Sequence, residues 1–108
     1  MGISENKYKI VFTNDSIEEM DSIYNYISKK LYAPNSARRL MEKVEEEIQS
    51  LEYMPQKYAV IKRFPEIDME YRRIVIKNFV VIYTISEKEK IIYIVHMYYG
   101  RSNYLYNL

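Results

Sequence analysis

Residues 71–98 read YRRIVIKNFVVIYTISEKEKIIYIVHMY, in which apolar segments alternate with short polar breaks. The segments are rich in β-branched and aromatic residues, and the breaks are short enough for hairpin turns. They predict three strands, at 71–76, 79–86 and 91–98. The chain therefore contains an antiparallel meander. The middle strand is apolar at nearly every position, so we expect it to be central in the sheet, with both faces buried.

The N-terminal half predicts one strand and then two helices. Residues 7–12 end in a continuous apolar run, which is typical of a strand entering a core. Ser16 and Glu19 have the spacing of a capping box, so the first helix is expected to begin there. Its apolar stripe repeats at three and four positions and comprises Ile17, Met20, Ile23, Tyr24, Ile27 and Leu31.

Pro34 fits the first turn of a second helix, where its missing N–H needs no partner. The buried face of this helix is expected to comprise Ala37, Leu40, Met41, Val44, Ile48 and Leu51. The connection between the helices is short, which indicates an antiparallel hairpin. Residues 56–70, with Pro65 inside, read as a loop or an irregular strand. The fold class is α+β, in the order β-α-α-β-β-β, and residues 1–108 are expected to form a single domain.

Composition excludes several classes of protein. The chain has 108 residues, of which 48% are hydrophobic and 29% are charged. These fractions are those of an ordinary globular domain. It has no cysteine and one histidine, so disulfides and thiolate metal sites are excluded, and neither a metal nor another cofactor is expected. No apolar run has the length of a membrane-spanning helix, and the N-terminus does not resemble a signal peptide, so we expect a cytoplasmic protein.

The second half of the chain is the basic half. Residues 50–108 carry nine Lys and Arg against six Asp and Glu, although the net charge of the whole chain is only +1. This asymmetry indicates where a polyanion or an acidic partner would bind. The chain also has thirteen tyrosines and no tryptophan. Tyrosine is common at interfaces as well as in strand cores, so the tyrosine content agrees with partner binding without requiring it.

Two motifs carry a resemblance to a known family. Residues 94–105 read IVHMYYGRSNYL, a hydrophobic strand followed by an aromatic pair, Gly, a basic residue and an Asn-Tyr turn. Residues 71–83 form an aromatic and basic hairpin, and Pro34 and Pro55 mark the start and end of the second helix. The order and spacing of these features resemble the RelE/ParE superfamily of type II toxin–antitoxin toxins over nearly the whole chain.

The resemblance implies a growth-inhibiting toxin of a plasmid-stabilisation module, neutralised by an antitoxin whose C-terminal segment folds onto it. RelE-like members cut messenger RNA in the ribosomal A site, whereas ParE-like members poison DNA gyrase. Whether this chain is an enzyme depends on which branch it follows. An enzyme of this kind would be an mRNA endoribonuclease.

The candidate site follows from strand geometry. Ile74 and Ile76 share a face that should meet the helices, so Arg73, Val75 and Lys77 should lie on the opposite face of the sheet. Basic and aromatic groups on that face suit phosphates and bases, or an acidic protein surface. The expected target-binding residues are Arg73, Lys77, Tyr98, Arg101 and Tyr104.

A nuclease needs a base, an acid and a cation for the developing charge. In that reading the catalytic residues are Arg73, Arg101, Tyr104 and His96. His96 stands where the family more often carries Arg. It is expected on the face of Ile92 and Ile94, which favours a structural or partner-contacting role.

The position after Phe79 separates the two branches, because RelE-like toxins carry a cation there and this chain has Val80. The departure favours the ParE-like reading, with gyrase as the target. The alternatives are a ribosome-dependent endoribonuclease and a degenerate toxin that retains only antitoxin binding.

Overall fold

The computed structural model describes residues 7–100. Within that range a first strand is followed by two helices and then by four more strands. These elements are β1 (Lys9–Phe12), α1 (Asn14–Asn25), α2 (Pro34–Gln49), β2 (Val60–Phe64), β3 (Met69–Ile76), β4 (Phe79–Ser86) and β5 (Ile91–Tyr99). A π-helical turn at Tyr26–Lys30 continues α1, and short 3-10 turns follow α2 and β2.

The strands of the described chain form one mixed sheet in the order β1-β5-β4-β3-β2. The strands β2 to β5 are antiparallel neighbours, and β1 pairs in parallel with β5, with Phe12 opposite Ile94. β4 is therefore the central strand, and its first six residues are buried. The predicted α+β order and the central position of the middle strand are confirmed.

β2 adds a strand to the predicted order. It forms in the segment that sequence patterning left as a loop or an irregular strand, and its pairing with β3 is interrupted by a register shift between Val60 and Lys62. The irregularity hides the period-two pattern on which strand prediction depends. Asp68, in the left-handed conformation, reverses the chain between β2 and β3.

The core lies between the two helices and one face of the sheet. The helical side supplies Ile23, Ile27, Ala37, Val44, Ile48 and Leu51. The sheet side supplies Ile74, Ile76, Phe79, Val81, Tyr83, Ile92, Ile94 and Met97. The buried face predicted for α2 is confirmed, with Leu40 and Met41 packing partly buried at its margin.

The start of α1 differs from the prediction. Thr13 is the N-cap, and its hydroxyl oxygen accepts from the Ser16 N–H at 3.1 Å. The predicted capping box of Ser16 and Glu19 does not form, because Glu19 contacts β5 instead. The apolar stripe of α1 is also narrower than expected, since Ile17, Tyr24 and Leu31 are exposed.

Tyr83 ties the centre of the sheet to the segment after α2. Its hydroxyl donates to the carbonyl of Pro55 at 2.7 Å, and its side chain has no solvent exposure. Burial disfavours the phenolate and raises the pKa of Tyr83 to about 12. The neutral phenol is therefore part of the folded state.

The pKa of Tyr83 predicts a stability loss in alkali. A group with a raised pKa contributes its full stabilisation below the unfolded pKa of 10.0, and this contribution disappears as the pH rises towards 12. Between pH 10 and 11 the free energy of unfolding should fall by about 1 kcal/mol more in the parent than in Tyr83→Phe. Denaturant unfolding at both pH values measures this difference. If the free energy of unfolding falls by the same amount in both proteins, the pKa of Tyr83 is not raised by folding.

No helix within residues 7–100 has both the length and the apolar character needed to cross a membrane.

Candidate target-binding surface

The face of the sheet that points away from the helices carries the candidate site. In β3, Ile74 and Ile76 are buried against the helices, whereas Arg73 and Val75 are exposed on the other side. The face predicted for these residues is therefore correct. We call this the open face and define it by its central side chains Arg73, Val75, Val80, Ile82, His96 and Tyr98.

Strand register brings these side chains together in two rows. Arg73 lies opposite Ile82, which lies opposite His96 on the next strand. In the neighbouring row Val75 lies opposite Val80, which lies opposite Tyr98. Directly opposed side chains in a sheet have Cβ atoms about 4.5–5.5 Å apart. The structure thus brings Arg73, His96 and Tyr98 onto one surface.

Lys77 lies at the edge of this surface rather than within it. It occupies the β3–β4 turn with a φ of +54°, and its side chain is exposed. The Gly100 N–H donates to the carbonyl of Asn78 in the same turn at 2.9 Å, which holds the end of β5 beside the turn. Arg101 and Tyr104, the other expected site residues, lie outside the described residues.

His96 lies on the opposite face from the one predicted. Ile94 pairs with Tyr83 but His96 pairs with Ile82, so Val95 is an extra residue that forms a bulge in β5. After a bulge the alternation of faces shifts by one position. His96 is therefore on the open face with Ile82, while Ile92 and Ile94 are buried against the helices.

Glu19 of α1 holds His96 and the end of β5. Its Oε1 accepts from the backbone N–H of Met97 at 2.9 Å and lies 3.2 Å from His96 Nδ1. β1 ends at Phe12, so beyond Ile94 the outer edge of β5 is no longer paired with β1, and Glu19 contacts it there. The sequence did not reveal this role of Glu19, because the only pattern that involved Glu19 was its spacing from Ser16, which indicated a helix cap.

The environment of Tyr98 favours the protonated form of its phenol. Burial raises the pKa of its phenol, and the negative charges of Glu19 and Asp15 raise this pKa further. Its ring centroid is 5.7 Å from that of His96. Tyr98 is therefore suited to ring contacts on the open face.

Val80 has an exposed fraction of 6%, and Ile82 has none. Neither belongs to the cluster between sheet and helices, so they form a second apolar layer on the open face. Val75, beside them, is 53% exposed. The centre of the open face is thus apolar and buried at Val80 and Ile82, and two cationic side chains lie on its β3 side, Arg73 in β3 and Lys77 in the turn.

Loss of the Glu19 carboxylate should destabilise the fold. In Glu19→Ala the Met97 N–H loses its acceptor, which is expected to lower the free energy of unfolding by about 1–3 kcal/mol. Glu19→Gln should recover most of this loss, because an amide oxygen still accepts from the Met97 N–H. Glu18 is an exposed neighbour, and Glu18→Ala should change stability by less than about 0.5 kcal/mol. Similar losses in Glu18→Ala and Glu19→Ala, measured by urea unfolding, would contradict the assigned contact.

No group of three or more His, Asp or Glu side chains suitable for a metal ion occurs in residues 7–100. In that range the open face carries a cation, an imidazole that contacts a carboxylate, a tyrosine and an apolar centre.

The family model for the ParE toxin of the type II toxin–antitoxin system parDE matches residues 10–104. The chain belongs to the ParE toxin family. The RelE/ParE superfamily expected from the two sequence motifs is confirmed. The matching family model also confirms the ParE-like branch. No sequence among curated proteins matches this ParE-family chain significantly.

Solved structures agree with the fold. The chromosomal ParDE system of P. aeruginosa is 16% identical, with a TM-score of 0.69, and the match covers 89% of this chain and 99% of that one. The archaeal RelE–RelB complex of Pyrococcus horikoshii is 26% identical, with a TM-score of 0.54 and coverage of 89% and 99%. The RelBE2 toxin–antitoxin complex of Mycobacterium tuberculosis is 17% identical, with a TM-score of 0.56 and coverage of 86% and 98%.

Proposed function

We propose that this ParE-family toxin inhibits growth by binding DNA gyrase through its open face. Arg73, Lys77 and Tyr98 contact the target in this proposal, and Arg101 and Tyr104 join them as sequence-based members of the set. The toxin works without a cofactor and without covalent chemistry.

The observation that carries the proposal is the exposed part of the open face, where Val75 and the partly exposed Tyr98 lie near the cationic Arg73. Protein interfaces typically have an apolar centre, enriched in aromatic residues and Arg, inside a polar rim. Val75 is 53% exposed, Tyr98 lies in the same row on β5, and Arg73 and Lys77 supply positive charge on the β3 side. This arrangement suits an acidic protein surface.

The same centre is unsuited to RNA cleavage. A ribonuclease needs a cation beside the phosphate as negative charge develops. At the position after Phe79 the side chain is Val80, which is nearly fully buried and carries no charge. The raised pKa of Tyr98 also makes its phenol a weaker acid than a free tyrosine.

One observation favours the second candidate function, a ribosome-dependent mRNA endoribonuclease. Glu19 lies 3.2 Å from His96 Nδ1, and a carboxylate in that place orients an imidazole for proton transfer. Arg73 lies in the same row, across Ile82. In this reading His96 is the acid or base, and Arg73 stabilises the charge.

His96→Gln separates the two candidates. Glutamine keeps an N–H for Glu19 but cannot exchange protons near neutral pH, so a nuclease should lose activity and a gyrase inhibitor should not. The parent and the variant are induced in growing cells, and transcript integrity and plasmid supercoiling are measured in parallel. We expect both proteins to reduce supercoiling and to leave transcripts intact. Transcript cleavage by the parent that disappears in His96→Gln would favour the nuclease.

The partner in this proposal is a cognate antitoxin whose amphipathic segment lies over α1 and the β1 edge of the sheet. There, a cleft of about 420 Å³ is lined by the apolar side chains of Ile10, Phe12, Ile17, Met20 and Ile48 and by the polar ones of Glu45, Gln49 and Glu52. Ile17 is 43% exposed, and β1 pairs only with β5 among the described strands. Such a surface suits an amphipathic helix or an added strand.

Co-expression with the product of the adjacent gene should give a stable complex and restore growth. Ile17→Asp places a charge in the cleft and should weaken that complex, whereas Glu18→Ala should not. Undiminished toxicity with the adjacent product in excess would contradict the pairing. A chain that binds the product but never inhibits growth would be a degenerate toxin.

A further inference from the structure

A second pocket lies between α2 and the β3–β4 turn, with a volume of about 580 Å³. Three cationic side chains line it: Arg39 and Lys43 from α2, and Lys77 from the turn. Its apolar lining includes Leu40 and Tyr99. Among residues 7–100, the pocket shares only Lys77 with the residues proposed to bind gyrase.

The local structure explains why the cations meet. Ser36, Arg39 and Lys43 are spaced by three and four residues, so they lie on one face of α2. Lys77, in its left-handed conformation, occupies the turn on the other side of the pocket. Beneath them Ile27 and Ile76 are buried, with exposed fractions of 4% and 8%. The result is an apolar floor below a cationic rim.

The charges on this rim are unbalanced. No carboxylate lines the pocket among residues 7–100. Lys43 pairs with Glu46 at 3.8 Å, but both side chains are more than half exposed. Such a surface pair contributes little. Like charges gathered beside an apolar floor repel one another, and a bound anion would relieve this repulsion.

We propose that this pocket binds a small phosphate ester that carries a flat aromatic ring, such as a free nucleotide. The Arg39 guanidinium and the two ammonium groups bind the phosphates, since planar guanidinium donors match phosphate oxygens. The ring packs against Leu40 and Tyr99. The volume falls within the usual range for small-molecule pockets, which are apolar with a few polar groups.

ADP is the probe, and its binding to the purified full-length protein is measured by calorimetry. We expect ADP to bind, and Arg39→Ala/Lys43→Ala to weaken binding at least about tenfold, because it removes two charge-assisted contacts. Arg38→Ala removes a neighbouring exposed cation that does not line the pocket, and it should leave binding unchanged. Inorganic phosphate should bind at least about tenfold more weakly than ADP, since it lacks the ring.

Absence of ADP binding, or equal binding by the double variant and the parent, would overturn the proposal. Binding of an oligoribonucleotide or an acidic peptide in place of ADP would also overturn it. The test is independent of the gyrase proposal. Arg73→Ala should still bind ADP, and Arg39→Ala/Lys43→Ala should still inhibit gyrase if that proposal holds.

Discussion

Ile82→Ala is expected to lower the free energy of unfolding by about 2–5 kcal/mol, the usual range for truncating a large buried aliphatic side chain. Ile82 has no solvent exposure and lies in β4, the central strand of the described sheet. It is on the open face, between Arg73 and His96 in register, so the loss would come from the second apolar layer rather than from the core beneath the helices.

Val75→Ala is the matched control for this variant. Val75 is on the same face in the neighbouring strand but is 53% exposed. Its truncation should therefore change stability by less than about 0.5 kcal/mol. Both variants are measured by denaturant unfolding. A change below about 0.5 kcal/mol for Ile82→Ala, the range of a surface substitution, would mean that β4 does not bury this side chain.

The second large effect is expected on toxicity. Arg73→Ala/Arg101→Ala should be harmless to growth on induction, because it removes two permanently charged planar donors from the proposed target surface. Its fold should survive, since Arg73 is exposed and surface substitutions usually change stability by less than about 0.5 kcal/mol. Growth curves and circular dichroism measure the two properties.

Arg38→Ala is the control, because it removes an exposed cation from α2, which packs against the other face of the sheet. Arg73→Lys should be more toxic than Arg73→Ala but less toxic than the parent, since an ammonium group does not fully replace the planar donors of a guanidinium. If the folded double variant is as toxic as the parent, the open face is not the active surface.

Regular patterns predicted most of the fold. The continuous apolar character of 79–86 placed β4 at the centre, and the spacing from Ala37 to Leu51 identified the buried face of α2. The alternation around Ile74 assigned Arg73 and Val75 to the correct face. These predictions succeeded because burial imposes a strict period on strands and helices.

Features without a periodic signal were missed. The bulge at Val95 adds one residue to β5, and nothing in the local sequence marks it, so His96 was assigned to the wrong face. The contact of Glu19 with Met97 joins positions 78 residues apart. The parallel pairing of β1 with β5 is equally remote in sequence. Such contacts depend on how helices and strands pack together, and no short stretch of a single sequence indicates that packing.

Plasmid supercoiling by purified gyrase tests most directly whether the open face binds gyrase. The parent toxin should inhibit supercoiling in a dose-dependent way, and Arg73→Ala should require at least about tenfold more protein, as expected for a lost charged contact. The Arg38→Ala control should match the parent. The contrary result would be a folded parent toxin that stops growth and cleaves transcripts in cells but leaves supercoiling by purified gyrase complete at every dose. Gyrase would then not be the target.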